Sequence, residues 1–82
     1  MSNVRINKSA LKHGIAEEDI RAALANFIYE DPITGEENKF LAVGFDRSGN
    51  LIELIYEYVE DKTIHVFHAM KCRKAVLELF ER

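Results

Sequence analysis

The chain has 82 residues, of which 48% are hydrophobic and 30% are charged, and its formal net charge is −3 at pH 7. A chain of this length forms one small domain, residues 1–82, and its charged content and regular apolar spacing exclude a disordered protein. The acidic balance argues against a general nucleic-acid coat, and the single cysteine, Cys72, excludes an internal disulfide.

Two short helices are predicted in the N-terminal third of the chain. The first begins at Asn7 or Ser9, either of which can cap it, and continues through Lys12. The second begins near Glu17, where acidic residues complement the helix dipole, and ends near Asn26. Its inward face is predicted from apolar residues at helical spacing, namely Ile20, Ala23, Leu24 and Phe27.

A meander of β-strands is predicted to follow. Residues 27–30 form a short strand that Asp31-Pro32 ends, leaving an acidic loop. Branched and aromatic residues predict three longer strands, at residues 39–46, 51–59 and 63–70. Turns at Ser48-Gly49-Asn50 and at Glu60-Asp61-Lys62 join them into antiparallel hairpins.

The middle predicted strand is two-sided, and a closing helix follows the last strand. The apolar face, which is expected to meet the helices, carries Ile52, Leu54, Tyr56 and Tyr58. Glu53 and Glu57 lie on the other face, which is therefore expected to be open to solvent. An amphipathic helix is predicted over residues 73–81. The predicted fold class is α+β: an antiparallel three- to four-stranded sheet packed on two N-terminal helices, with a C-terminal helix.

Charge is segregated along the chain. Residues 1–13 contain three bases and no acid, giving +3, and residues 71–82 contain four bases and two acids, giving +2. Residues 17–37 contain seven acids and one base, giving −6. If the two basic ends meet, they form an anion-binding face, although a solvated surface is the alternative.

Location and metal content are also predicted. The longest apolar stretch, residues 40–45, is far too short to cross a membrane, and the N-terminus lacks the layout of a secretion signal. A cytoplasmic protein without membrane contacts is therefore expected. His65 and His68 are three residues apart on a strand and should point to opposite faces, so neither a metal site nor another cofactor is expected.

A candidate site for RNA cleavage lies where the last strand ends. RNA supplies its own nucleophile, the 2′-hydroxyl, so the protein need only move protons and stabilise negative charge. The candidate residues are Glu53, His68, Lys71, Arg73 and Lys74. A two-residue turn at Glu60-Asp61 would place Glu53 opposite His68 and orient the imidazole, whereas a three-residue turn would separate them. The alternative is that Glu53 keeps the open face soluble and His68 is an ordinary histidine at a strand end.

Short motifs follow one another in a characteristic order. They are Ala10-Leu11-Lys12-His13-Gly14-Ile15, Glu17-Glu18-Asp19-Ile20, Val43-Gly44-Phe45-Asp46, Gly49-Asn50-Leu51-Ile52-Glu53, Tyr56, and His68-Ala69-Met70-Lys71-Cys72-Arg73-Lys74. In order and spacing these motifs resemble BrnT-type toxins, which are small RelE-like ribonucleases of bacterial toxin–antitoxin pairs. The resemblance covers nearly the whole chain.

The resemblance implies RNA cleavage without a metal and a partner antitoxin that binds both the toxin and DNA. By matching motifs, it implies that the functional residues include Lys12, His13, Glu53, Lys71, Arg73 and Lys74. The expected catalytic residues are His13, Glu53, His68, Lys71 and Arg73, with a histidine moving protons and Glu53 acting as base or orienter. The expected phosphate-binding residues are Lys12, Lys71, Arg73 and Lys74. For His13 a favourable charge at a helix C-terminus is the alternative role.

Two features depart from that family. Only Val4-Arg5-Ile6 stands where the family has a fuller first strand, so that strand is expected to be thin or absent. The isoelectric point near 5.6 is low for a ribonuclease of this kind. The alternative function is a catalytically inactive interaction module, as a homodimer or an antitoxin-bound regulator, with an exposed apolar patch at Leu51, Ile55 and Val59.

Overall fold

The computed structural model describes residues 3–60 and 62–81. The elements are β1 (Asn3–Ile6), a 3-10 helix (Lys8–Leu11), α1 (Glu17–Ala25), β2 (Phe27–Pro32), β3 (Lys39–Phe45), β4 (Leu51–Glu60), β5 (Thr63–Lys71) and α2 (Lys74–Phe80). The three longer strands lie where their apolar and aromatic residues predicted them. The predicted turn between β4 and β5 includes Asp61, which lies outside the described residues.

The five strands form one mixed sheet in the order β1-β5-β4-β3-β2. β1 pairs with β5 in parallel, with Val4 opposite Ile64, whereas the other three pairings are antiparallel. The predicted fold class, with a purely antiparallel sheet of three to four strands, is therefore wrong. The first strand, expected to be thin or absent, is present but has only four residues, and Val4 and Ile6 pack against the core and so hold it in the sheet.

The predicted pair of N-terminal α-helices is also wrong, because the first segment is a single 3-10 turn. Asn7 caps it as expected, since its side-chain oxygen accepts a hydrogen bond from the Ser9 backbone amide at 3.1 Å. The Asn7 amide itself is bonded to the Val66 carbonyl at 2.9 Å, so the chain is still attached to β5 where the turn begins. With Gly14 following at a φ of 81°, there is room only for a short helix.

Helix α1 packs on one face of the sheet through its buried side chains Ile20 and Ala23. It ends at Asn26, as the sequence predicted. Phe27 does not continue its apolar face: it begins β2 and is 47% exposed. β2 then extends to Pro32, beyond the predicted break, because a proline is tolerated on an edge strand where no ladder hydrogen bond is lost.

The opposite face of the sheet, predicted to be open, is covered in part by α2. The Phe80 ring stacks on Tyr29 of β2 with 5.1 Å between ring centroids, and Val76 is buried. Tyr29 is paired with Val43, which is paired with Glu53, so these three side chains share this face. Neither helix in residues 3–60 and 62–81 is long and apolar enough to cross a membrane.

A β-bulge interrupts the β4–β5 pairing. Ile55 is opposite His68 but the next residue, Tyr56, is opposite Val66, so Phe67 has no partner in the ladder. The extra residue reverses the alternation of β5 at this point. His65 and His68 therefore lie on the same face of the sheet, and the expectation that they point to opposite faces is wrong.

Substitution of Gly44 by alanine should strongly destabilise the protein. A Cβ atom at this position would overlap the Ala23 carbonyl oxygen and lie 2.8 Å from the carbonyl carbon, so β3 and α1 would have to separate. We expect a loss of about 3 kcal/mol in the free energy of unfolding, measured by urea denaturation.

Gly49→Ala is the matched control for this prediction. Gly49 has a φ of 83° but no atom within 4 Å of an added Cβ, so its substitution costs only backbone strain, about 1 kcal/mol. If Gly44→Ala and Gly49→Ala lose the same unfolding free energy, α1 does not pack closely on β3.

Candidate functional site

The centre of the candidate site is the carboxylate of Glu53, which is 0% exposed. Its Oε1 atom accepts hydrogen bonds from the backbone amide of Arg73 at 3.0 Å and from Arg73 Nε at 3.1 Å. Its Oε2 atom accepts from a terminal nitrogen of Arg73 at 2.8 Å and lies 2.7 Å from His68 Nε2. The buried charge is therefore paired and fully hydrogen-bonded, as burial of an ion requires.

The end of β5 places Arg73 over this carboxylate. The Cys72 amide is bonded to the Leu51 carbonyl at 2.9 Å, which keeps the chain in register with β4 just past the last strand residue. Arg73 is still extended, with φ −81° and ψ 149°, and α2 begins at the next residue. Both the amide and the guanidinium of Arg73 can therefore point at Glu53.

The pKa of Glu53 lies below its ordinary value. Burial alone would raise it, but the hydrogen bonds from the Arg73 side chain and backbone and from His68, together with the guanidinium charge, outweigh that effect. The carboxylate is therefore ionised at neutral pH. Because it is enclosed and its lone pairs are engaged, Glu53 can orient neighbouring groups but is poorly placed to take a proton from a substrate.

His68 meets Glu53 as the sequence suggested, but in a different register. Glu53 is paired with Met70, and His68 is paired with Ile55. This register is displaced by two residues from the predicted one, and a shift of two keeps both side chains on one face. The ionised carboxylate only accepts hydrogen bonds, so we assign the imidazole proton to Nε2, which leaves Nδ1 as the accepting atom.

His13 comes to the same place from the other end of the chain. Its ring meets the His68 ring edge to face, with 5.7 Å between centroids and 73° between planes. The Ser9 hydroxyl, which donates to the Phe67 carbonyl at 2.6 Å, fixes the preceding 3-10 helix against β5. Sequence reasoning missed this role of Ser9 and treated it as a cap, since nothing local signals a partner 58 residues away.

Within the part of the chain that the structure describes, no hydrogen bond or ion pair joins the other predicted cations to this cluster. Lys71 is paired with Ile52, a residue of the α1 side of the sheet, and lines an open cleft of about 280 Å³ with Ile15, Asp46 and Asn50. The Lys74 side chain is 91% exposed and lies 4.0 Å from Glu78. Lys12 is exposed and directly precedes His13.

Arg73 combines a structural contact with an exposed charge. Its hydrogen bonds with Glu53 raise the pKa of the guanidinium, and its side chain is nevertheless 57% exposed. A guanidinium has five N–H donors in a planar fork, of which Glu53 engages those on two nitrogens. The outer edge of Arg73 therefore presents a positive charge near His68, with which it shares the Glu53 Oε2 atom.

Together, His13, His68, Glu53 and Arg73 have the groups needed for proton transfer next to an anion. One histidine is oriented by a carboxylate, the other is exposed, and a cation lies beside them. Within residues 3–60 and 62–81, no three His, Cys, Asp or Glu residues are grouped so as to hold a metal ion.

Comparisons with protein-family models, curated proteins and solved structures give no match to this chain.

The stabilising effect of the Glu53 carboxylate should disappear in acid. Because the folded-state pKa is lowered, the stabilisation is present above the ordinary value of 4.5 and is lost as pH falls through the folded-state pKa. At pH 7 we expect Glu53→Gln to lose about 1–3 kcal/mol in unfolding free energy. The difference from the unmodified protein should shrink below about pH 4.5, as measured by urea denaturation across pH.

Glu57→Gln is the matched control, because Glu57 is on the same strand and the same face, four residues away. It faces His65 in the ladder and does not contact Arg73. Glu57→Gln should lower the free energy of unfolding only slightly, and this small difference should not change comparably on acidification. If the loss of unfolding free energy in Glu53→Gln stays constant down to pH 3, the folded-state pKa of Glu53 is not lowered in the way that we infer.

Proposed function

We propose that this protein is a metal-independent endoribonuclease that acts by general acid–base chemistry at His13 and His68. The observation that carries the proposal is the convergence of His13 from the N-terminal third with His68, Glu53 and Arg73 from the last two strands and their exit. A pair of histidines beside a fixed cation is suited to moving two protons around a phosphodiester.

In the proposed reaction His68 is the base and His13 the acid. His68 Nδ1 takes the proton from the ribose 2′-hydroxyl, whose oxygen attacks the adjacent phosphorus. The bond from phosphorus to the 5′-oxygen breaks, and His13 in its protonated form gives that oxygen a proton. The products are a 2′,3′-cyclic phosphate and a 5′-hydroxyl, so the reaction needs no oxidant and no water in this step.

Glu53 and Arg73 have supporting roles in this proposal. Glu53 holds the His68 tautomer that leaves Nδ1 free, and Arg73 stabilises the extra charge on the phosphate through its outward N–H groups. Lys12, next to His13, is the second candidate for phosphate binding. Lys71, on the α1 side of the sheet, and the exposed Lys74 are better suited to holding the flanking RNA backbone.

We further propose that the chain is the toxin of a bacterial toxin–antitoxin pair, with a DNA-binding antitoxin as its partner. The support is the resemblance of its motifs to BrnT-type toxins, which includes both His13 and Glu53. The alternative, an inactive interaction module, was expected to expose Leu51, Ile55 and Val59 together. Only Val59, at 44%, is exposed, while Leu51 and Ile55 are half-buried, so that surface gives the alternative little support.

His13→Ala should abolish most of the RNA cleavage and leave the fold intact. His13 is exposed, so its removal costs little packing, whereas loss of the proposed acid should slow cleavage about 10²–10⁴-fold. The measurement is the rate of cyclic-phosphate formation from a short RNA, with thermal unfolding as the check on folding. His13 gives a cleaner test than Arg73, because Arg73→Ala would also release the buried Glu53 carboxylate.

His65→Ala is the matched control for this test. His65 is on the same strand and face as His68, but it contacts Phe67 and not the candidate site. It should retain cleavage within a few-fold. Equal activity of the His13→Ala and unmodified proteins would refute the proposed acid, and absence of cleavage by the unmodified protein would refute the ribonuclease.

Induction of the chain alone in a bacterial host should arrest growth and degrade bulk RNA. The His13→Ala variant, produced to the same level, should do neither, because it lacks the proposed acid. Growth arrest that is the same with both proteins would show that any toxicity is unrelated to the histidine pair.

A further inference from the structure

β2 is an edge strand of the sheet, at the end opposite β1, and its outer edge is not paired with another described strand. It pairs with β3 on one side and has no strand neighbour on the other side among the described residues. Its first two residues, Phe27 and Ile28, are 47% and 45% exposed. A free edge beside exposed apolar side chains is the type of surface on which another chain can add a strand.

The backbone groups available at this edge follow from the pairing with β3. The Ile33 amide is bonded to the Lys39 carbonyl at 2.9 Å, just beyond the paired end of β2. Inward bonds alternate along an antiparallel strand, so Asp31 and Tyr29 also bond inward. The amide and carbonyl of Glu30 then point outward, toward an incoming strand.

Charge determines which kind of strand fits this edge. Residues 26–38 contain four acids, Glu30, Asp31, Glu36 and Glu37, and no base. Successive residues of a strand point to opposite faces, so Glu30 lies on the α1 face, where its carboxylate accepts a hydrogen bond from the Tyr56 hydroxyl, and Asp31 lies on the other face. Pairing of β2 with β2 of a second copy would bring like charges together, which is unfavourable.

We propose that the β2 edge binds an extended, basic segment of a partner protein, which adds to the sheet as a sixth strand. Apolar residues of that segment lie beside Phe27 and Ile28, and lysine or arginine residues lie beside Glu30 and Asp31. This surface is at the opposite edge of the sheet from β1. The inference is therefore independent of the proposed ribonuclease.

A direct test uses three fluorescein-labelled octapeptides and the whole protein. The first has a valine–threonine half and a lysine-rich half, the second has glutamate in place of lysine, and the third is the basic peptide with a central proline. We expect the basic peptide to bind about tenfold or more tightly than either of the others by fluorescence anisotropy. Its binding should protect the Glu30 amide from hydrogen exchange.

Asp31→Lys and Glu18→Lys form the matched pair of variants. Both replace an acid by a lysine, but Glu18 lies in the first turn of α1, near Arg47 of the β3–β4 hairpin, and not on the edge. Asp31→Lys should weaken binding of the basic peptide about tenfold, and Glu18→Lys should change it less than twofold. Urea denaturation of both variants shows whether they remain folded.

Three outcomes would overturn the inference. If the acidic and basic peptides bind equally tightly, charge does not select the partner. If the proline peptide binds as tightly as the basic peptide, binding does not occur by strand addition. If sedimentation shows that the protein without peptide forms a dimer, and Asp31→Lys strengthens that dimer, a second copy is the occupant of this edge.

Discussion

The arrangement of the sheet face that α2 covers depends on one buried carboxylate. An ion at full burial is costly unless it is paired and hydrogen-bonded, and Glu53 meets that condition through four contacts supplied by two residues. Those contacts connect the start of β4 with His68 of β5 and with Arg73, the residue just before α2. The same carboxylate therefore sets where the C-terminal helix begins and which way the His68 ring faces.

The N-terminal segment reaches His68 by a different route. β1 adds to the outer side of β5 in parallel, and the chain then turns over the part of β5 that β1 leaves uncovered. The bond from the Ser9 hydroxyl to the Phe67 carbonyl uses the residue that the bulge leaves without a ladder partner. The bulge thus provides an anchor for the 3-10 helix and also turns His68 to the Glu53 face. This one irregularity therefore sets the face of His68 and helps to anchor the segment that precedes His13.

The sequence predicted what depends on local pattern. Alternating apolar residues gave the three longer strands, and the acidic cluster at Glu17 gave the start of α1. Prediction from the sequence failed for the features that depend on contacts between residues far apart in the chain. The parallel pairing of Val4 with Ile64, the single 3-10 turn after Asn7 and the covering of the Glu53 face by α2 all depend on such contacts. Predicted strand alternation likewise failed at Phe67, because a bulge has no clear local signature here.

The candidate site was predicted in part for a related reason. Glu53, His68 and Arg73 were chosen as residue types that can move protons or hold a phosphate, and His13 was nominated by the motif resemblance. In the fold, His68 and Arg73 contact Glu53, and His13 contacts His68. The face of Lys71 was not predicted, because the pairing that sets it depends on the turn and the bulge. The predicted contact of Glu53 with His68 survived a wrong register only because the error was an even number of residues.

The double role of Arg73 has a consequence for any anion that binds there. Its guanidinium is held by Glu53 through two nitrogens, so it is oriented before a ligand arrives and loses little conformational entropy on binding. The same carboxylate offsets part of its positive charge, which limits how strongly it attracts an anion at rest. Such a cation favours a species with more negative charge over one with less. In the proposed ribonuclease reaction, that preference suits the stabilisation of a phosphorane-like transition state better than tight retention of a phosphodiester or its product.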